Sequence, residues 1–311
     1  GKIPAGSETW IQNSGFIWLL TLIPLTFAAW FGMNNISTAE VTPRQPRAVA
    51  SFSVMGGMLL IGFLTAIFGL WLLLPEKANG SGFGVPKEIV LLLVIAATVY
   101  LLKILPGQIR TNLQRQYKIF GNHHTWVMSV IYTMTFGSFI GFSAAFPLAI
   151  KVIFGYSHVM GADGVMTHDT INENGPSALM YAWMGAFIGA LIRPVGGWIA
   201  DKVGGALVTQ IITVVLVFSA LGVAYYMKAA YASATPEEYF VPFFLLFLTL
   251  FAATGIGNGS TFRTISQVFN KEQAGPVLGW TSAVAAYGAF YIPQVFGEQI
   301  KATTPEYAAY G

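Results

Sequence analysis

The stretch "AWMGAFIGALIRPVGGWIADKVGG" (Ala182–Gly205) sets an arginine inside an apolar run. Between Ser177 and Ile199, Arg193 is the only charged residue. A run this long matches the roughly 20 residues that a helix needs to cross about 30 Å of hydrocarbon. A permanent cation is costly at that depth, so its neighbours must say why it is there.

Composition points to the membrane. Hydrophobic residues make up 55% of the 311 and charged residues 9%, whereas soluble domains are nearer about 25% charged. No cysteine occurs, which excludes disulfide frameworks, thiolate catalysis and cysteine-based metal sites. A net charge of +3 with no basic stripe gives no sign of a nucleic-acid partner. The chain opens at Gly1 without a cleavable leader pattern and reads as a piece of a longer protein.

Eight segments qualify as spans: 14–33, 51–74, 88–105, 125–150, 177–199, 205–227, 240–262 and 276–298. Runs of this length predict helices and not barrel strands, which alternate in short segments. The expected fold class is therefore an all-α membrane protein, with the lipid bilayer as its surroundings. If the loop carrying Arg44 and Arg47 is inside, alternation puts Arg110, Arg115, Lys118, Lys202, Arg263 and Lys271 inside as well. Lys77, Lys87, Lys151, Lys228 and Lys301 then fall outside, with most of the acids and no arginine. This is the expected cation bias of cytoplasmic loops. The outside stretch 151–176 reads as a solvated loop. His158 and His168 within it are a weak metal signal, and no metal site is expected.

Residues four apart share a helix face, so Gly185, Gly189, Arg193 and Gly197 form one ridge. Small residues at that spacing mark close helix approach, which turns Arg193 toward protein or a cavity. The plain alternative is a side chain snorkelling to the cytoplasmic interface, about 8 Å away at 1.5 Å per residue. Pro194 lacks an N–H and clashes with the carbonyl of Ala190, so a kink is expected beside the guanidinium. No Asp, Glu or His lies deep in any of the eight spans. A membrane cation without a carboxylate calls for an anion from elsewhere, and arginine itself cannot relay a proton.

In "WVMSVIYTMTFGSFIGFSAAF" (Trp126–Phe146), Tyr132 and Phe136 share a face: one offers a hydroxyl, the other a flat wall. Packing within a bundle is the favoured explanation of them at this point. The glycines of "TGIGNGSTFRTI" (Thr254–Ile265) lack the strand and βαβ context of a phosphate loop and read as close packing. Ser282, in "GWTSAVAAYGAF" (Gly279–Phe290), can line a pore or bond to its own backbone. "GGWIADKVGG" (Gly196–Gly205) is a tight cytoplasmic turn, with Asp201 expected to cap the next helix.

This turn resembles the cytoplasmic signature of the major facilitator superfamily, here Gly197, Asp201, Lys202 and Gly204. "FGSFIGFSAAFPLAIK", "YAWMGAFIGALIRPVGGWIADKVGG", "GIGNGSTFR" and "SAVAAYGAFYIPQVFG" further resemble, in order, the seventh, eighth, tenth and eleventh helices of the nitrate/nitrite porters. "WIQNSGFIWLLTLIPLTFAAWFGMNNIST" resembles the sixth. The resemblance implies an incomplete helical bundle from a two-lobed carrier with alternating access. It implies that Arg193 is one of two arginines that clamp nitrate or nitrite. Tyr132 and Phe136 match the aromatics that contact the substrate, and Gly279 and Ser282 fall in a nitrate-signature helix. Pro194, Gly197, Asp201, Lys202 and Gly204 take structural or gating roles. A bacterial inner-membrane location, no enzyme activity and no cofactor follow.

Three departures stand beside the likeness. The family's first five helices, which carry the other arginine, are absent, as is the twelfth. The N-terminal lobe is thus an expected partner. Two extra spans interrupt the middle. Ala285 and Ala289 stand where the signature favours glycine. The expected organisation is 1–50, the sixth helix with its loop; 51–124, an inserted pair and linker; and 125–311, the C-terminal lobe. Nitrate/nitrite exchange is the first expectation. The alternatives are a proton-coupled nitrate importer and a non-transporting membrane sensor.

Overall fold

The computed structural model describes residues 13–32, 48–74, 83–105 and, apart from 111–112, 115, 163 and 165, the stretch 110–303. Arg44, Arg47, Lys77, Arg115, Asp163 and Glu306 lie outside the described residues. The chain divides into two compact units, Gly1–Arg110 and Thr111–Gly311.

The first unit holds α1 (Asn13–Gly32), α2 (Ala48–Leu73) and α3 (Lys87–Ile104). α2 and α3 form an antiparallel pair. Gly69 makes room for Val94, and the Thr65 and Thr98 hydroxyls meet at 3.1 Å. In lipid such a polar contact has no water to compete with it. The Val85 N–H donates to the Leu72 carbonyl and ties the entry of α3 to the end of α2.

In the second unit, α4 (His123–Tyr132) runs through a π-helical turn (Thr133–Gly137) into α5 (Ser138–Ala149) and a second π turn (Ile150–Phe154). The Thr133 and Thr135 hydroxyls bond back to the carbonyls of Ser129 and Ile131 at 2.8 and 3.1 Å. Such back-bonding competes with the regular ladder and bends helices. α6 (Ala178–Leu191) stops at Ile192 and resumes as α7 (Arg193–Val203). The break falls where Pro194 removes a donor, as expected. α8 (Gly205–Tyr231) and α9 (Phe240–Val268) follow, then α10 (Lys271–Ala286) and α11 (Gly288–Thr303).

α9 is the central helix, packed against α6, α7 and α8. Phe146 of α5, Phe154 of the second π turn and Phe243, Phe247 and Phe251 of α9 are each less than 2% exposed. Phe146 stacks on Phe247 with centroids 4.5 Å apart. Lipid tails are as apolar as these rings, so close packing and not escape from water holds such a core together.

Several features differ from expectation. Five described helices are long and apolar enough to cross a membrane: Met55–Leu73, His123–Phe154, Ala178–Val203, Gly205–Tyr231 and Pro236–Val268. Of the other three expected spans, Trp18–Gly32 is an apolar helix but shorter. α3 carries Lys87, Glu88 and Lys103 within its 18 residues. The last breaks at Tyr287 into α10 and α11, where Gly288 lies against the backbone of Gly137.

The outside stretch is no simple solvated loop. It forms an antiparallel hairpin, β1 (Tyr156–Met160) with β2 (Met166–Ile171), with a bulge between Ser157 and Val159. His158 is buried at that bulge, its two ring nitrogens each 2.9 Å from a carbonyl, those of Ser233 and Ile153. His168 stacks on Tyr231 at 4.2 Å. Among the described residues no group of three or more potential ligands could hold a metal.

Asp201 belongs to the last turn of α7, not to the start of α8, because Gly204 alone joins the two helices. Gly204 has φ +92°, a conformation open to glycine. A carboxylate at a helix C-terminus opposes the dipole. The Arg263 guanidinium of α9 compensates it through an ion pair, and Gln267 donates to the same oxygen at 3.3 Å.

Candidate functional site

Arg193 opens α7 directly after the break at Ile192. The glycine ridge brings it against α9. A Cβ on Gly259 would fall inside the Arg193 carbonyl, and one on Gly196 inside the Ile256 carbonyl. The ridge runs Gly185, Gly189, Gly196. Gly197, four residues past the arginine, makes only an ordinary contact with the Gly259 carbonyl at 3.6 Å. The break at Ile192 shifts the helix face, so constant spacing does not carry through it.

The Arg193 guanidinium lies over two rings, 4.3 Å from the Phe139 centroid and 5.7 Å from that of Phe136. Both are within the range of cation–π attraction. Phe139 has space there because Gly189 has no side chain. The buried Arg193 Nε has no hydrogen-bond partner among the described residues. The cation thus rests on aromatic faces.

Tyr132 stacks on Phe136 at 5.0 Å and 13° and meets the edge of Phe262 at 5.1 Å. Its hydroxyl interacts with the Ser282 side chain, and Arg193 is the charge that acts on it. Phe136 sits within the π turn. Arg193, Pro194, Gly197, Asn258, Gly259, Phe262, Arg263 and Ser266 line a cavity of about 430 Å³.

The structure therefore gathers Arg193, Tyr132, Phe136, Ser282, Pro194 and Gly197 into one region. Gly279 lies apart from this cavity, on another of about 460 Å³ with Gln116, Tyr117 and Trp280. Asp201, Lys202 and Gly204 form the cytoplasmic end of α7. There the Lys202 ammonium sits 3.9 Å from the centre of the Trp198 ring.

Phe139, Asn258 and Phe262 escaped the sequence reading. Phe139 lies seven residues from Tyr132, and that spacing was open to inspection. Asn258 was hidden among glycines whose spacing signals only packing. Chemically, the region offers a fixed charge, flat walls and a few polar groups. It suits a small planar anion, which can accept two parallel bonds from a guanidinium.

Comparison with known proteins agrees with this architecture. Residues 10–293 match the Major Facilitator Superfamily. The chain is similar to the probable nitrate/nitrite antiporter NarK2 of Thermus thermophilus, 35% identical over 90% of this chain and 64% of the relative. It is also similar to the nitrate/nitrite transporter NarU of Escherichia coli, 33% identical over 62% of this chain and 41% of the relative. A third likeness is to the nitrite extrusion protein of Bacillus subtilis, 26% identical over 74% and 52%. The chain thus spans only part of each relative's length. With its five apolar helices of spanning length and a match over most of its length, this multi-pass membrane chain belongs to the Major Facilitator Superfamily.

Proposed function

We propose that the chain is part of a nitrate/nitrite carrier of the bacterial inner membrane that exchanges one anion for the other by alternating access. Residues 125–311 act as its C-terminal lobe, and 51–124 as an inserted pair with its linker. An N-terminal lobe supplies the opposing arginine. Arg193 is the anion's ligand in this half. Tyr132, Phe136 and Ser282 shape its surroundings, and Pro194 sets the break that aims the guanidinium. Gly197, Asp201, Lys202 and Gly204 act at the cytoplasmic end.

One observation carries this reading. The guanidinium of Arg193 lies on two aromatic faces at a cavity wall, and its buried Nε has no partner among the described residues. A cation kept within a membrane helix without a counter-charge is a binding site in want of an anion. The names of the relatives supply nitrate and nitrite as the anions to test. Exchange follows if the cationic site closes only when it is neutralised.

The test uses the full-length carrier in liposomes loaded with nitrite, with any proton gradient collapsed and nitrate added outside. Exchange is expected, and Arg193→Lys is expected to lower it about a hundredfold, because lysine keeps the charge but loses the two-point fork. Exchange that survives in the lysine variant reduces Arg193 to a packing or snorkelling residue. Nitrate movement only under a proton gradient replaces exchange with proton-coupled import. A chain that moves neither anion leaves the sensor reading.

A further inference from the structure

The Asn258 side chain is 1% exposed, and among the described residues neither its Oδ1 nor its Nδ2 has a hydrogen-bond partner. Buried amides are nearly always paired, and one that is not needs a reason. Its place supplies one. Asn258 lines the same cavity as Arg193. The contact of Gly259 with the Arg193 carbonyl fixes α9 against the start of α7 at this level. On the same wall lies a second orphan, Arg193 Nε, a donor without an acceptor among the described residues.

From these orphans we infer that Asn258 is the second polar ligand in this half of the cavity and sets the preference for nitrate over nitrite. This rests on the carrier reading above. The guanidinium fork takes two oxygens of the anion. The Asn258 Nδ2–H donates to a third. Nitrate has a third oxygen, and nitrite does not.

Packing alone does not account for the residue. Leucine has a similar volume and would fill the position without unpaired polar atoms. Replacing an unsatisfied buried amide by an apolar group of similar shape is neutral or stabilising. A structural amide predicts the opposite.

The experiment measures half-saturating concentrations of external nitrate and of external nitrite in liposomes bearing the full-length carrier, with its melting temperature in detergent. For Asn258→Leu, nitrate is expected to weaken about tenfold, the scale of one hydrogen bond to an ion. Nitrite stays within about twofold, and the melting temperature does not fall. Asn258→Asp keeps the shape and puts an acceptor where the donor was, and nitrate exchange is expected to be lost. Equal weakening of both anions in Asn258→Leu, or an unchanged ratio with a lower melting temperature, overturns the inference. So does nitrate exchange at the wild-type level in Asn258→Asp, which serves as the test if the leucine variant does not fold. An unsubstituted carrier that moves neither anion fails the carrier reading and this inference with it. One that exchanges both, while Asn258→Leu keeps the ratio, fails the inference alone.

Discussion

Arg193 shows how a membrane helix keeps a charge that pairs with no carboxylate among the described residues. Its guanidinium is planar and weakly hydrated, so it can rest on aromatic faces where an ammonium would lose more. Phe139 provides the nearer face, at 4.3 Å. Cation–π contacts are worth about 1 kcal/mol and more where water is excluded. Replacing Phe139 with leucine keeps an apolar neighbour but removes the quadrupole. The apparent affinity for the anion is expected to fall about fivefold, read from the half-saturating concentration in exchange. An unchanged affinity would mean that the ring only fills space. Tyr132→Phe tests the other wall. The Tyr132–Phe136 stack at 5.0 Å survives that change, while the link to Ser282 is lost. Its expected signature is a weaker anion affinity without a lower melting temperature, and a drop in stability instead would make the hydroxyl a packing device.

At the scale of elements, glycines decide how close α7 comes to α9. Gly259 lies against the Arg193 carbonyl, so Gly259→Ala must push the two helices apart. Overpacking of this kind costs about 3 kcal/mol, and a clearly lowered melting temperature in detergent is the expected result. Gly204 makes a different demand. At φ +92° it is the sole link between α7 and α8. An alanine there is expected to cost about 2 kcal/mol of stability, and a wild-type melting temperature would show that the turn can relax. Both glycines stand out in the sequence, yet the sequence reads them unequally. The turn at Gly204 was visible because a charged pair and glycines interrupt two apolar runs. The partner of Gly259 was not, because spacing says that a face is narrow and not what approaches it. Repeat arguments also fail at backbone breaks. Pro194 announced the kink, but the kink itself moved the tight contact from Gly197 to Gly196. The π turn at Thr133–Gly137 had no warning of comparable strength, since two threonines in a helix usually cause no such shift.

For the molecule as a whole, apolar length made the class and the order of helices legible, while the ends of helices and the hairpin were not. β1 and β2 are short and polar, and their hold depends on His158 reaching the carbonyls of Ser233 and Ile153, far apart in the chain from one another. Alternating sidedness is the global claim that joins these parts, and it can be tested without altering the site. The chain has no cysteine, so a single introduced thiol reports its own side of the membrane. Glu173 and Lys271 are both exposed and, by the bias of cations toward the cytoplasm, lie on opposite sides. In intact cells, a maleimide that cannot cross the membrane is expected to label Glu173→Cys promptly and to reach Lys271→Cys only after permeabilisation. The reverse pattern would invert the orientation and place the hairpin inside. Labelling of both positions in intact cells would mean that an odd number of crossings does not separate them, and the assignment of α6 to α9 as spans would fail.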